Sequence, residues 1–177
     1  MIKDHQQEFN QFQVILDAIV IIISYGLAWL LMINGFVPTR GDPLRSEFYL
    51  MALLIVIPVY LLLYAVFQLY TPKRVQGRRL EFANICKANA IGLLMFTLVL
   101  YLISKNPFWY NFSRPMVLYF FVINIVLETV ERNLIRMVLR SMRARGYNLK
   151  HILLVGYSRA AEGYIDRVKQ NPEWGYR

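Results

Sequence analysis

The stretch "FYLMALLIVIPVYLLLYAVFQL", residues 48–69, carries no charged side chain and predicts a helix that crosses a membrane. A helix needs about 20 predominantly apolar residues to cross a hydrocarbon core ~30 Å thick, and this stretch supplies them. Three further stretches of comparable length indicate additional spans. The four predicted transmembrane helices cover about residues 12–33, 48–69, 85–103 and 116–136. We therefore expect an all-α integral membrane protein whose residues 1–140 form a four-helix transmembrane bundle.

The composition agrees with a membrane protein. Hydrophobic residues make up 57% of the chain and charged residues 18%, an apolar share that is high for a soluble domain. The formal net charge is +9, but the basic residues flank apolar segments, which favours anionic lipid headgroups over nucleic acid as the partner. The single cysteine, Cys86, excludes an internal disulfide and a thiolate metal cluster.

The basic residues also predict the orientation, because cytoplasmic loops carry an excess of Lys and Arg. The N-terminus, the second loop and the segment after the fourth span are much more basic than the first and third loops. We therefore predict a multi-pass protein with both termini in the cytoplasm. The basic residues are Lys3, Lys73, Arg74, Arg78, Arg79, Arg132, Arg136, Arg140, Arg143, Arg145 and Lys150 on the inner side, and Arg40, Arg45, Lys105 and Arg114 on the outer side.

The fourth predicted helix changes character after Leu127. Four arginines at helical spacing fall within an arc of roughly 80°, and apolar residues such as Ile135 and Met142 fall on the other side. This pattern is typical of a helix that leaves the bilayer among the headgroups, and a nucleic-acid-binding helix is the less favoured interpretation. The arginines, which are candidates for contact with a lipid phosphate, are Arg132, Arg136, Arg140 and Arg143.

Charged side chains within a membrane span are costly, so each requires an explanation. Asp17, Lys87 and Glu128 lie near the predicted cytoplasmic boundary. They form either a polar site that contacts a lipid phosphate, or groups that pair across the bundle or extend to water, and we favour the second interpretation. Glu128 and Arg132 are also spaced to pair on one helix face.

Two asparagines and two glycines interrupt the apolar spans. Asn89 and Asn124 are better explained as interhelical hydrogen-bond partners than as ligands, because a side-chain amide in hydrocarbon needs a partner. Gly26 and Gly92 allow a neighbouring helix to approach closely.

The segment "HILLVGYSRAAEGYID", residues 151–166, has the pattern that opens a nucleotide-binding sheet. Residues 152–155 predict a buried strand, and Ser158 is placed to cap the helix that follows. A dinucleotide fingerprint needs G-x-G-x-x-G, and the three positions here are Gly156, Ser158 and Ala161. Only the first glycine matches, so the predicted phosphate-binding turn depends on one glycine and the helix N-terminus.

One strand and one helix cannot bury the face of a parallel sheet. We therefore expect residues 141–150 to be a basic juxtamembrane linker and residues 151–177 to be the incomplete beginning of a Rossmann-like cytoplasmic module. On this interpretation the chain is the N-terminal piece of a longer protein.

Five segments carry a family resemblance. They are Asp17 early in the first span, "FQLYTPKR" (67–74), "EFANICKANAIG" (81–92), the junction "ERNLIRMVLRSMRARGYNLKHILLVG" (131–156) and "NPEWGYR" (171–177). Together they resemble bacterial polyprenyl-phosphate phosphoglycosyl transferases of the large, four-span type, which initiate exopolysaccharide and capsule synthesis. The junction is the most specific segment, and the likeness covers essentially the whole chain.

The resemblance implies that this chain anchors and regulates an enzyme of the bacterial inner membrane. In such enzymes a separate catalytic domain with an adjacent Asp-Glu pair transfers sugar-1-phosphate from a UDP-sugar to undecaprenyl phosphate, releases UMP and uses Mg²⁺. No Asp-Glu dipeptide occurs in this sequence, so we transfer no catalytic residue and expect no cofactor or metal on this chain. The resemblance also implies a homodimer.

Two other functions stay open at this point. Membrane-bound, NAD-dependent nucleotide-sugar dehydratases and epimerases resemble the chain in joining four spans to a Rossmann-like module, although their first turn is richer in glycine than "GYSRAA". The third interpretation is a non-enzymatic four-span scaffold, and the incomplete sheet argues against it.

Overall fold

The computed structural model contains five α-helices within the residues that it describes, and the chain divides into two compact units, Met1–Val130 and Glu131–Arg177. The helices are α1 (Ile2–Ile33), α2 (Ser46–Val66), α3 (Arg78–Ile103), α4 (Arg114–Ala144) and α5 (Arg159–Gln170). The described residues are 2–35, 46–70, 77–103, 112–147, 149, 152–153, 155–156, 158–171 and 174–176.

Three helices are long and apolar enough to cross a membrane: Phe9–Ile33, Ser46–Val66 and Arg78–Leu102. These three correspond to the first three predicted spans, and they are consistent with a membrane protein. The helix α4 is not among them, because charged residues follow Leu127 along its sequence. Three helices that could cross a membrane are therefore confirmed, and the predicted four-span bundle is not.

The helices α1, α3 and α4 are longer than the predicted spans, whereas α2 has nearly the predicted length. The helix α4 continues to Ala144, past the predicted end of the span at residue 136 and into the predicted linker 141–150. The helices α1 and α3 likewise begin before their spans, at Ile2 and Arg78. Hydropathy marks the part of a helix that contacts lipid, whereas backbone hydrogen bonds continue through polar residues, and this explains the difference.

Several of the basic residues on which the predicted orientation depends lie outside the described part of the chain. They are Lys73 and Arg74 in the second loop, Arg40 and Arg45 in the first, Lys105 in the third, and Lys150. The orientation therefore stays a prediction.

An aromatic cluster joins the helices of the first unit. The helix α1 packs on α2, and α2 packs on α3. The Phe120 ring of α4 lies 5.6 Å from the Tyr25 ring of α1 and 5.4 Å from the Tyr60 ring of α2, in both cases edge to face. The Tyr25 hydroxyl donates a hydrogen bond to the Tyr49 carbonyl at 2.9 Å. These contacts fix α1, α2 and α4 around one buried core.

The first unit exposes apolar side chains and buries polar ones. Leu54 is 72% exposed and Leu94 is 69% exposed, whereas Asp17, Asn124 and Glu128 are completely buried. A water-soluble domain distributes these groups the other way round. In hydrocarbon the outward leucines carry no penalty, and polar groups must find partners inside the protein. The distribution agrees with helices that cross a membrane.

Side chains from two neighbouring helices close the C-terminus of α2. Gln68 adopts the left-handed conformation, with φ of 56°, and so ends the helix. The Asn84 amide of α3 donates to the Phe67 carbonyl at 3.0 Å, and the Gln13 amide of α1 donates to the Leu69 carbonyl at 3.4 Å. Carbonyls just past the end of a helix have no helical N–H partner, so these bonds keep the Phe67 and Leu69 carbonyls satisfied.

In the second unit, α4 ends in a Schellman motif. Gly146 adopts a φ of 89°, which glycine tolerates without a steric penalty. Its N–H donates to the Arg143 carbonyl at 2.9 Å, and the Tyr147 N–H donates to the Met142 carbonyl at 3.0 Å. The helix therefore stops at a defined residue and does not fray gradually into the predicted linker.

The strand predicted at residues 152–155 is not confirmed. Ile152, Leu153 and Val155 have no regular secondary structure, and Leu154 lies outside the described residues. Leu153 is 88% exposed and Val155 90% exposed. A parallel strand is stable when neighbouring elements cover both faces, and the described part of the chain does not cover these two side chains.

We predict that Gly92→Ala destabilises the first unit whereas Gly26→Ala does not. A Cβ atom on Gly92 would lie 2.6 Å from Cζ of Tyr60, which is buried against Phe120, whereas a Cβ on Gly26 meets nothing within 4 Å. Overpacking of this kind costs about 1–3 kcal/mol. Thermal unfolding of both variants in detergent measures the effect, and equal melting temperatures would contradict the close approach of α3 to Tyr60.

Candidate functional site

The centre of the first unit is a hydrogen-bonded cluster of three polar side chains, Tyr64, Asn89 and Asn124, which we call the polar triad. The Nδ2 group of Asn124 on α4 donates to the Tyr64 hydroxyl of α2 and to Oδ1 of Asn89 on α3, both at 2.8 Å. Asn89 and Asn124 are completely buried. The sequence prediction that the two asparagines bond across helices is confirmed.

Asn89 and Tyr64 complete the network. Nδ2 of Asn89 donates to the Ile85 carbonyl at 3.0 Å and to the Tyr64 hydroxyl at 3.4 Å. The Tyr64 oxygen thus accepts hydrogen bonds from both asparagines, and its own hydrogen remains for donation to a further acceptor. The carboxylates of Glu128 and Asp17 act electrostatically on this phenol. The triad therefore adjoins the acidic residues that the sequence singled out.

Asp17 of α1 and Glu128 of α4 form a buried carboxyl pair. Both are completely buried, and a carboxylate oxygen of each lies within 4.8 Å of the other. Two carboxylates this close in a low-dielectric interior repel each other, so the arrangement favours a nearby positive charge. Such a pair also offers oxygen ligands to a hard cation, but Ca²⁺ or Mg²⁺ needs about six or more ligands. It would repel a phosphate, so among the candidates only the basic residues suit a lipid phosphate, and that contact stays a prediction.

Arg132 is a buried arginine in the second unit. Its side chain is 2% exposed, and its Nε atom lies 3.6 Å from Oε2 of Glu131. A buried guanidinium is stable only beside negative charge, so this ion pair explains how an arginine is accommodated in the interior. The sequence predicted Glu128 as its partner on the helix, and the structure identifies Glu131 as one partner.

The other basic candidates lie closer to the surface. Lys87 is exposed on α3 and Arg140 is exposed on α4. Arg136 and Arg143 on α4 are half-buried. Of the predicted arginines, Arg140 is therefore the most accessible for contact with a phosphate group.

The predicted nucleotide-like turn is described at its first glycine and at the serine that precedes α5. Gly156 has a φ of 92°, a conformation that side chains disfavour. The Ser158 hydroxyl accepts a hydrogen bond from the Ala161 N–H at 3.2 Å and so caps α5, as predicted. Because Ser158 already occupies one N–H group of the first turn, fewer of these groups remain for a phosphate. Phosphate binding at this turn stays a prediction.

Sequence reasoning missed two features of the structure. Tyr64 was not distinguished from the other aromatic residues of its span, because a tyrosine in an apolar run is usually a core residue. The second unit contains a cavity of about 570 Å³ with mainly apolar walls, into which Arg143 and Lys169 bring positive charge. Its lining residues are scattered along the chain, so no motif could indicate them.

We predict that Asn89 and Asn124 are energetically coupled. Replacing either by alanine removes a partner of the other and of Tyr64, so the double variant should lose less stability than the sum of the single variants. The expected coupling is about 0.5–1.5 kcal/mol, in the range of side-chain hydrogen bonds in membrane proteins. Unfolding by denaturing detergent measures it. The Asn84→Ala and Asn124→Ala pair is the control, because Asn84 bonds to Phe67 instead.

We also predict that Arg132→Met is far more destabilising than Arg140→Met. The first change leaves Glu131 beside a neutral side chain in the interior. Removing one partner of a buried ion pair lowers the free energy of unfolding by about 3–5 kcal/mol. The second change removes an exposed charge and should cost under about 1 kcal/mol. Equal free energies of unfolding for the two variants, measured in detergent, would show that the buried ion pair does not stabilise the fold.

A family model described as a CoA-binding domain matches residues 65–177. The matched region begins at the end of α2 and includes α3, α4 and α5. No curated protein and no solved structure matches the chain.

Proposed function

The chain belongs to the CoA-binding domain family, and on that premise we propose that it is the membrane-anchoring and regulatory N-terminal region of a sugar-1-phosphate transferase. The enzyme would move phospho-sugar from a UDP-sugar to undecaprenyl phosphate in exopolysaccharide or capsule synthesis. The family supports this proposal, because the domain is found in bacterial polyprenyl-phosphate sugar transferases.

The observation that carries the proposal is the overlap of the family match with the membrane-capable helices. The match starts at residue 65, so it includes the end of α2 and the whole of α3, a helix long enough to cross a bilayer. A family region that continues from such a helix into a polar segment suits an enzyme with one lipid and one cytosolic substrate. At the inner leaflet both substrates are accessible.

We propose that α4 crosses the membrane together with the other three helices. Its buried side carries Asn124 and Glu128, whereas its outward side carries Leu118, Val122 and Val126, which are exposed. A hydropathy average over the whole helix mixes these two sides, so an apolar outer surface can coexist with a polar inner one. The bond from Asn124 to Asn89 supports a position beside α3.

The proposed location is the bacterial inner membrane, with both termini in the cytoplasm. Arg78 and Arg79 are exposed at the beginning of α3, as expected for a helix end at an anionic cytoplasmic surface. The carboxyl pair would then lie near the same side of the membrane as these arginines. Sugar specificity would belong to the catalytic domain.

The proposal predicts that the intact protein encoded by the gene releases UMP when it is given a UDP-sugar and undecaprenyl phosphate. A chain limited to residues 1–177 should insert into membranes and release none. The assay monitors UMP by chromatography with a panel of UDP-sugars, and membrane insertion is measured separately by flotation with liposomes.

Two outcomes would replace the proposal. Tightly bound NAD in the intact protein, without UMP release, would identify a nucleotide-sugar dehydratase or epimerase. If the protein inserts and folds but contains no bound NAD and releases no UMP with any UDP-sugar of the panel, it is a non-enzymatic membrane scaffold.

A further inference from the structure

The helix α4 is longer than the hydrocarbon core requires. It has 31 residues, which correspond to about 46 Å at 1.5 Å per residue, against ~30 Å for the hydrocarbon core. The helices α3 and α4 run antiparallel, since Asn89 contacts Asn124 whereas Phe96, further along α3, contacts Phe112 before α4 begins.

The excess length of α4 has an exposed apolar face. Leu134, Met137 and Val138 are 54%, 64% and 57% exposed. Met137 and Val138 follow Leu134 by three and four positions along the chain, so the three residues lie on one side of the helix. The part of α4 in the second unit therefore has an apolar surface of its own.

The opposite face of the same segment is basic. Arg136, Arg140 and Arg143 follow one another at intervals of three or four residues, so they form one stripe, and Arg140 is exposed. A helix with an apolar face beside an arginine stripe is complementary to the boundary between acyl chains and anionic headgroups. A water-exposed helix would not maintain three large apolar side chains on its surface.

We propose that residues 134–143 of α4 are a binding surface for anionic phospholipids of the bilayer. Leu134, Met137 and Val138 contact the acyl boundary, and the guanidinium groups of Arg136 and Arg140 contact lipid phosphates. The inference rests on the proposed membrane position of the bundle. It implies that contact of this segment with the bilayer depends on the charge of the lipids, which anchoring alone does not require.

The test uses the whole chain with Cys86→Ala, which removes its single cysteine, and introduces Met137→Cys. The protein is reconstituted in nanodiscs of phosphatidylcholine alone, or of equal parts phosphatidylcholine and phosphatidylglycerol. A membrane-impermeant maleimide then reports the accessibility of residue 137. Glu162→Cys on α5, an exposed position, is the matched control.

We expect labelling of Met137→Cys to be about 25-fold slower in the anionic nanodiscs, since Arg136 and Arg140 near an anionic surface each contribute a factor of about five. High salt should remove the difference. Adding Arg136→Gln and Arg140→Gln should also remove it, whereas Glu162→Cys should label equally fast in both discs.

The outcomes separate this inference from the proposed function. If the chain inserts but residue 137 labels equally fast in both discs, the lipid surface is refuted and the anchor proposal stands. If residue 137 is protected in both discs and in detergent, a protein surface such as a second copy covers it, which also overturns the inference. If the chain does not float with liposomes, the proposed function fails as well.

Discussion

A polar group buried in a membrane bundle has no water to bond with, and the arrangement of the first unit depends on this constraint. The amide of Asn124 satisfies this constraint by donating two hydrogen bonds of 2.8 Å, one to Tyr64 on α2 and one to Asn89 on α3. Because Tyr64 and Asn89 are themselves bonded to each other, a rotation or shift of any of the three helices would break more than one bond. The polar triad therefore defines the register of the bundle, and the aromatic cluster around Phe120 fills the space beside it.

The helix α4 combines two different surfaces along its length. In the first unit its inner side is polar and its outer side is apolar, which suits a helix between a protein interior and lipid. After Glu131 the polar side of the helix carries arginines, and exposed apolar residues lie on the other side. This change explains both why hydropathy alone identifies three membrane-capable helices and why the sequence suggested a fourth.

Several features of the candidate site follow from local rules, and these were predicted. Amides in apolar spans predicted that Asn89 and Asn124 bond across helices, and a serine before a helical segment predicted the Ser158 cap. The role of Tyr64 was not predicted, because a phenol in an apolar span does not show whether its hydroxyl has polar neighbours. The proximity of Asp17 to Glu128 also depends on which helices are neighbours, and spacing along the chain does not contain that information.

The sequence by itself determined the approximate position of the apolar helices, which agree with a membrane protein, and the basic stripe of α4, since each follows from composition or from helical periodicity over short distances. It also carried the family, because residues 65–177 retain the pattern of the CoA-binding domain. Only the tertiary structure decided which polar side chains meet, how far α4 continues, and that residues 152–155 lack a regular strand among those described. The physical reason is that hydrogen bonds between helices and the pairing of strands depend on neighbours distant in sequence, whereas helix formation depends mainly on neighbours within a turn.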